Sequence, residues 1–66
     1  MQVRINGETR QVDEGITLAG LLAELDLADR RIAVEINQAI VPRARHAETP
    51  IGENDSIEII HAIGGG

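Results

Sequence analysis

Ile63 is followed by Gly64, Gly65 and Gly66, directly after a Val/Ile-rich strand pattern. A carboxylate at the tip of a segment without β-carbons can be threaded into a narrow pocket. An α-carboxyl group ordinarily titrates at about 3.3–3.7, so Gly66 carries an anion near neutral pH. Such an anion is a poor electrophile, and it becomes an acyl donor only after a leaving group has been attached. The alternative reading of a terminal glycine run is a frayed chain end.

No other group of residues has a spacing that suggests chemistry. Gly64-Gly65-Gly66 lacks the Lys and Ser/Thr of a phosphate-binding loop and opens no helix. His46 and His61 are isolated, without metal-ligand spacing, and read as solvated or interface residues. Cysteine is absent, which excludes a disulfide framework, a thiolate metal site and a cysteine nucleophile. Carboxylates are scattered along the whole chain, so no Ser-His-Asp arrangement stands out. The chain therefore reads as a substrate or carrier, not a catalyst, with no metal and no bound cofactor expected.

Composition narrows the partners. The chain has 66 residues, a net charge of −5 and no Phe, Tyr or Trp. An acidic surface without aromatic stacking platforms is unsuited to nucleic acid. It suits docking on basic patches of other proteins, although modest acidity also serves solubility alone. All the basic residues are Arg, which leaves no side-chain amine to be acylated by an activated terminus; a compositional habit is the simpler explanation. Neither a leader pattern nor an apolar run of about 20 residues is visible, so a soluble cytoplasmic protein is expected.

The elements that must position the tail follow from periodicity. Val3 and Ile5 alternate with polar neighbours, and Asn6-Gly7 signals a two-residue hairpin leading into a return strand over Glu8 to Val12. Thr17 is an N-cap candidate, and Leu18, Leu21, Leu22 and Leu25 form one helical stripe. Gly20, inside that helix, reads either as a site of close helix–sheet approach or as a tolerated imperfection. The polar stretch from Asp26 to Arg31 closes the helix. Ile32, Val34 and Ile36 give a third strand, Asn37-Gln38 a turn, and Ala39 to Val41 a short strand ended by Pro42. Arg43 to Ile51 reads as an irregular crossing with a single helical turn. Ser56 to Ala62 is the last strand, with Ile57 and Ile59 on one side and Ile60 and Ala62 on the other.

A helix with one apolar stripe covers one face of one sheet, giving a two-layer α+β domain. A right-handed crossover after the hairpin brings a later strand parallel to the first. The expected architecture is a β-grasp, or ubiquitin-like, fold: a mixed sheet of four to five strands with one main helix on one face. Residues 1–62 are assigned to this domain and residues 63–66 to a mobile Gly-rich tail.

The run Ile36-Asn37-Gln38-Ala39-Ile40-Val41-Pro42-Arg43, then Glu48-Thr49-Pro50-Ile51, Asp55-Ser56-Ile57-Glu58-Ile59-Ile60 and Ala62-Ile63-Gly64-Gly65-Gly66, resembles the ThiS family of sulfur carrier proteins. His46 stands where such proteins often have Trp, and Asn54 precedes Asp55 where Gly is usual. The resemblance implies that ATP, used by a ThiF-like adenylating enzyme, activates Gly66 as an acyl-adenylate. Sulfur drawn ultimately from a cysteine desulfurase then gives a C-terminal thiocarboxylate. It further implies delivery to a ThiG-like thiazole synthase in thiamine biosynthesis. Gly65 and Gly64 are then the residues threaded into partner active sites, while Ile60, Ala62, Ile63 and Arg43 are candidates for partner contacts. Related alternatives are the small subunit of molybdopterin synthase, a carrier for cysteine synthesis, or a passive ubiquitin-like interaction module.

Overall fold

The structure, a computed structural model, describes residues 1–62. Ile63, Gly64, Gly65 and Gly66, and with them the expected division into domain and tail, lie outside the described residues.

The chain opens with an antiparallel hairpin, β1 (Gln2–Ile5) and β2 (Glu8–Gln11), in which Gln2 faces Gln11 and Ile5 faces Glu8. Its two-residue loop has φ of +50° at Asn6 and +85° at Gly7. Two successive positive φ values give a turn whose twist matches that of the flanking strands, which is why Asn-Gly occupies it.

Helix α1 (Leu18–Glu24) starts where the sequence indicates. The Gly20 N–H donates to Thr17 Oγ1 at 3.1 Å, satisfying one of the unpaired donors of the first turn. The helix end is more constructed than a polar run suggests. Asp26 takes a φ of +62°. Its N–H donates to the Ala23 carbonyl at 3.1 Å, and the Leu27 N–H donates to the Leu22 carbonyl at 2.8 Å. This is the paired closure of a left-handed helix cap, and it returns Leu27 to the core edge. Gly20 does not bring helix and sheet together. A β-carbon there would lie 3.2 Å from Ile16 Cγ1 and 3.4 Å from Thr17 Oγ1, so the missing side chain makes room for the helix's own approach segment.

Three further strands, β3 (Ile32–Ile36), β4 (Ala39–Val41) and β5 (Ser56–His61), complete a five-stranded sheet in the order β2-β1-β5-β3-β4. β5 lies parallel to β1, with Ile5 beside Ile57, and antiparallel to β3, with Ile32 opposite His61 and Ile36 opposite Ile57. The last strand therefore fills the centre of the sheet, between the two hairpins. This is the β-grasp arrangement.

The crossing to β5 contains a six-residue 3₁₀ segment, Arg43–Glu48, longer than the single turn expected. It is stitched to the start of the helix. The Leu18 N–H donates to the Thr49 carbonyl at 2.8 Å, and the Ile51 N–H donates to the Ile16 carbonyl at 3.0 Å.

The core lies between α1 and one face of the sheet and comprises Val3, Ile5, Val12, Leu18, Leu21, Leu22, Val34, Ile51, Ile57 and Ile59. Full burial of each large aliphatic side chain is worth about 1.5–3 kcal/mol, enough for a small domain without aromatic residues or cross-links.

Candidate functional site

β5 is the element that carries the chain toward its glycines. Along it, Ile57 and Ile59 are buried beneath the helix while Glu58 and Ile60 are exposed, as strand alternation requires. Ile60 is 52% exposed. Its neighbour across the ladder is Ala33, on the face of the sheet that no helix covers.

That open face has a definite composition. Ile40 is 73% exposed and stands opposite Glu35, and Glu35 in turn stands opposite Glu58. An apolar pair, Ile40 and Ile60, is thus interleaved with two carboxylates that directly face each other. Like charges directly opposite on a sheet oppose folding, so their placement at this surface is not explained by stability.

The flank of β5 that faces β1 is held in an unusual way. The Asn6 N–H donates to the Ile57 carbonyl at 2.9 Å, the last backbone bond described between β1 and the strand. Beyond it the chain turns at Asn6-Gly7. The Asn6 carboxamide then takes over: its Oδ1 accepts the Ile59 N–H at 2.8 Å, and its Nδ2 donates to the Ile59 carbonyl at 3.3 Å. On the opposite flank the Ala62 N–H donates to the Arg31 carbonyl at 2.9 Å. A cleft of about 320 Å³, lined by Asn6, Arg10, Leu25, Leu27, Ile59 and His61 among others, opens beside this end of the strand.

The remaining sequence candidates fall in different places. Ala62 is exposed beside Ile60 at the end of β5. Gly64, Gly65 and Gly66, together with Ile63, lie outside the described residues. Arg43 sits apart from the open face. Its guanidinium donates to the Ala28 carbonyl at 3.3 Å and to the Arg30 carbonyl through Nη2 at 2.6 Å, clamping the loop that follows α1. His61 is exposed, as expected. His46 is not a solvated residue: it is buried, with Nε2 3.0 Å from the Val41 carbonyl. The 3₁₀ segment rolls its side chain inward against α1, where it lines a second cleft of about 200 Å³ with Ala19 and Leu22. Position 46 is thus a packing position in this chain.

Among the described residues no cluster of His, Cys, Asp or Glu has the geometry of a metal site. No helix among them is long and apolar enough to cross a membrane. The part played by the Asn6 side chain was missed in the sequence, where Asn6 carried only a turn signal.

The sequence profile of the ThiS family matches residues 3–66. The chain belongs to the ThiS family. The sulfur carrier protein ThiS of Escherichia coli (strain K12) is 36% identical over 66 residues, with both chains covered in full. A thiazole synthase of Magnetococcus marinus is 42% identical across the whole of this chain, which spans 20% of that protein's length. In three dimensions, the crystal structure of the thiamine biosynthesis protein ThiS from Geobacter metallireducens matches with a TM-score of 0.86 at 29% identity, covering 100% of both chains.

Proposed function

We propose that this chain is a cytoplasmic sulfur carrier for thiazole formation in thiamine biosynthesis, and that it serves as carrier and substrate rather than catalyst. The observation that carries the reading is the end-to-end similarity to the sulfur carrier protein of E. coli. The thiazole synthase that contains a segment like this chain supports a ThiG-like enzyme as the acceptor.

The chemistry is acyl activation at Gly66. Its carboxylate oxygen attacks the α-phosphorus of ATP in the active site of a ThiF-like enzyme. Pyrophosphate leaves and an acyl-adenylate remains. A hydrosulfide, released when two equivalents of a thiol reduce the persulfide of a cysteine desulfurase and become a disulfide, attacks the acyl carbon and expels AMP. The product is a thiocarboxylate in which one terminal oxygen has become sulfur.

The chain contributes reach and docking. Gly65 and Gly64 present no β-carbon to the walls of the partner's channel, which lets the carbonyl approach the nucleotide in a near-attack geometry. The open face, through Ile60, Ala62 and Ile40, rests on the partner, with Ile63 leading into the channel, while Arg43 braces the loop that follows α1.

The test is the intact mass after incubation with ATP, a sulfur source and the activating enzyme. Exchange of one oxygen for sulfur is expected in the full chain and not in a chain lacking Gly66. An unchanged mass, under conditions that charge the E. coli carrier, overturns the reading. Rescue of a thiamine auxotroph distinguishes thiazole service from other sulfur pathways.

A further inference from the structure

We propose that Asn6 is a positioning residue for the C-terminal acyl group: its carboxamide acts as one more rung of β1 and fixes the direction in which β5 leaves the sheet. This rests on the carrier reading above.

The argument begins with the ladder. β1 and β5 are parallel and paired through Arg4 beside Ser56 and Ile5 beside Ile57. On a strand, residues two apart point their backbone groups to the same flank, so Ile59 presents its N–H and C=O where Ile57 presents its own. A continuing β1 would meet them. The chain has instead turned away at Asn6, whose φ of +50° is that of the hairpin loop. A carboxamide has the donor and acceptor of a peptide group. With Oδ1 on the Ile59 N–H at 2.8 Å and Nδ2 on the Ile59 carbonyl at 3.3 Å, Asn6 supplies both missing partners.

The same residue therefore does two separable things. Its backbone closes the hairpin, and its side chain ties the hairpin tip to a strand 53 residues away in sequence. A turn requires only the first, which glycine performs equally well. The second falls seven residues before Gly66, on the flank of β5 opposite the Ala62–Arg31 bond. With both flanks held, β5 keeps a fixed direction relative to the open face as far as Ala62. A partner that grips that face then meets the point from which the acyl-bearing segment departs in a fixed place. Small displacements of a reacting group cost rate far more than they cost affinity.

The test compares Asn6→Gly, which keeps the turn, and Asn6→Asp, which keeps the shape but replaces the amide donor by an oxygen facing the Ile59 carbonyl. Asn37→Gly is the control. Asn37 also has positive φ, at +51°, and bonds Asp55 and the Ser56 N–H, but at the opposite end of β5. Pyrophosphate release by the activating enzyme is measured against carrier concentration, with hydrogen exchange at the Ile59 amide. In both Asn6 variants Ile59 should exchange about tenfold faster. Their kcat should fall about tenfold or more with KM within about twofold, while Asn37→Gly keeps the kcat of the parent.

Unchanged kcat in the Asn6 variants, a rise in KM alone, or an equal loss of kcat in Asn37→Gly overturns the proposal. So does failure of both Asn6 variants to fold, which makes the side chain a folding requirement. If the parent chain is not adenylated at all, the carrier reading fails instead, and Ile59 exchange still reports whether the clamp exists.

Discussion

Single residues in this chain often hold backbone conformations that side chains disfavour. Asn6, Asp26, Asn37, Gln38 and Asn54 all have positive φ. A left-handed conformation costs a non-glycine residue about 1–2 kcal/mol, less for Asn and Asp, whose short side chains bond locally. Asn6 and Asn37 recover this cost through side-chain bonds across the sheet. Asp26 has no such bond described, so Asp26→Gly should stabilise the domain by about 0.5–1 kcal/mol. For a domain of this size that raises the thermal midpoint by roughly 2–8 °C, measurable by calorimetry. A lower midpoint would show that the Asp26 carboxylate makes a contact of its own. Asn54 illustrates what was legible from one residue: its tolerance of positive φ is evident from its type, and the structure places it at +67°. Asn6 illustrates what was not, because a carboxamide's partners are set by a strand at the other end of the sequence.

At the scale of elements, α1 is short, and its seven residues cannot persist without a cap and a buried face. Thr17→Ala removes the acceptor for the Gly20 N–H and should cost about 1 kcal/mol in urea unfolding, with the slope unchanged. Leu21→Ala should cost about 2–5 kcal/mol. Total stability for a chain of this length is roughly 3–10 kcal/mol, so that variant should lower the thermal midpoint by roughly 8 °C or more, as read by circular dichroism. These elements were readable because their signals are local: a hydroxyl before a leucine stripe in α1, and alternation in β1, β3 and β5. The readings that changed involve contacts between elements. His46 looked solvated because a lone polar residue carries no periodicity, yet the 3₁₀ segment turns it inward against α1. Leu27 was hidden in a polar stretch, and only the left-handed cap at Asp26 returns it to the core. Gly20 gave a correct warning of crowding, but the crowding comes from Ile16 and not from the sheet.

At the scale of the whole molecule, one face of the sheet makes the core and the other remains open, carrying Ile40 and Ile60 between Glu35 and Glu58. Ile60→Thr preserves the β-branched shape and should leave the thermal midpoint within a few degrees. It should also raise the KM of the activating enzyme about fivefold or more, as loss of a central apolar contact does. An unchanged KM would place docking elsewhere. With a net charge of −5 the chain should associate faster with its partners at low ionic strength, and stopped-flow rates should fall as salt rises. A flat salt response would reduce the acidity to a matter of solubility. The outermost strands have a further consequence. β4 is three residues long and stops at Pro42, and β2 exposes all four of its residues, Glu8 and Arg10 among them. Neither rim offers a long, flat, uncharged template on which a neighbouring copy can add a strand, so even at high abundance the domain is protected against stacking into fibrils.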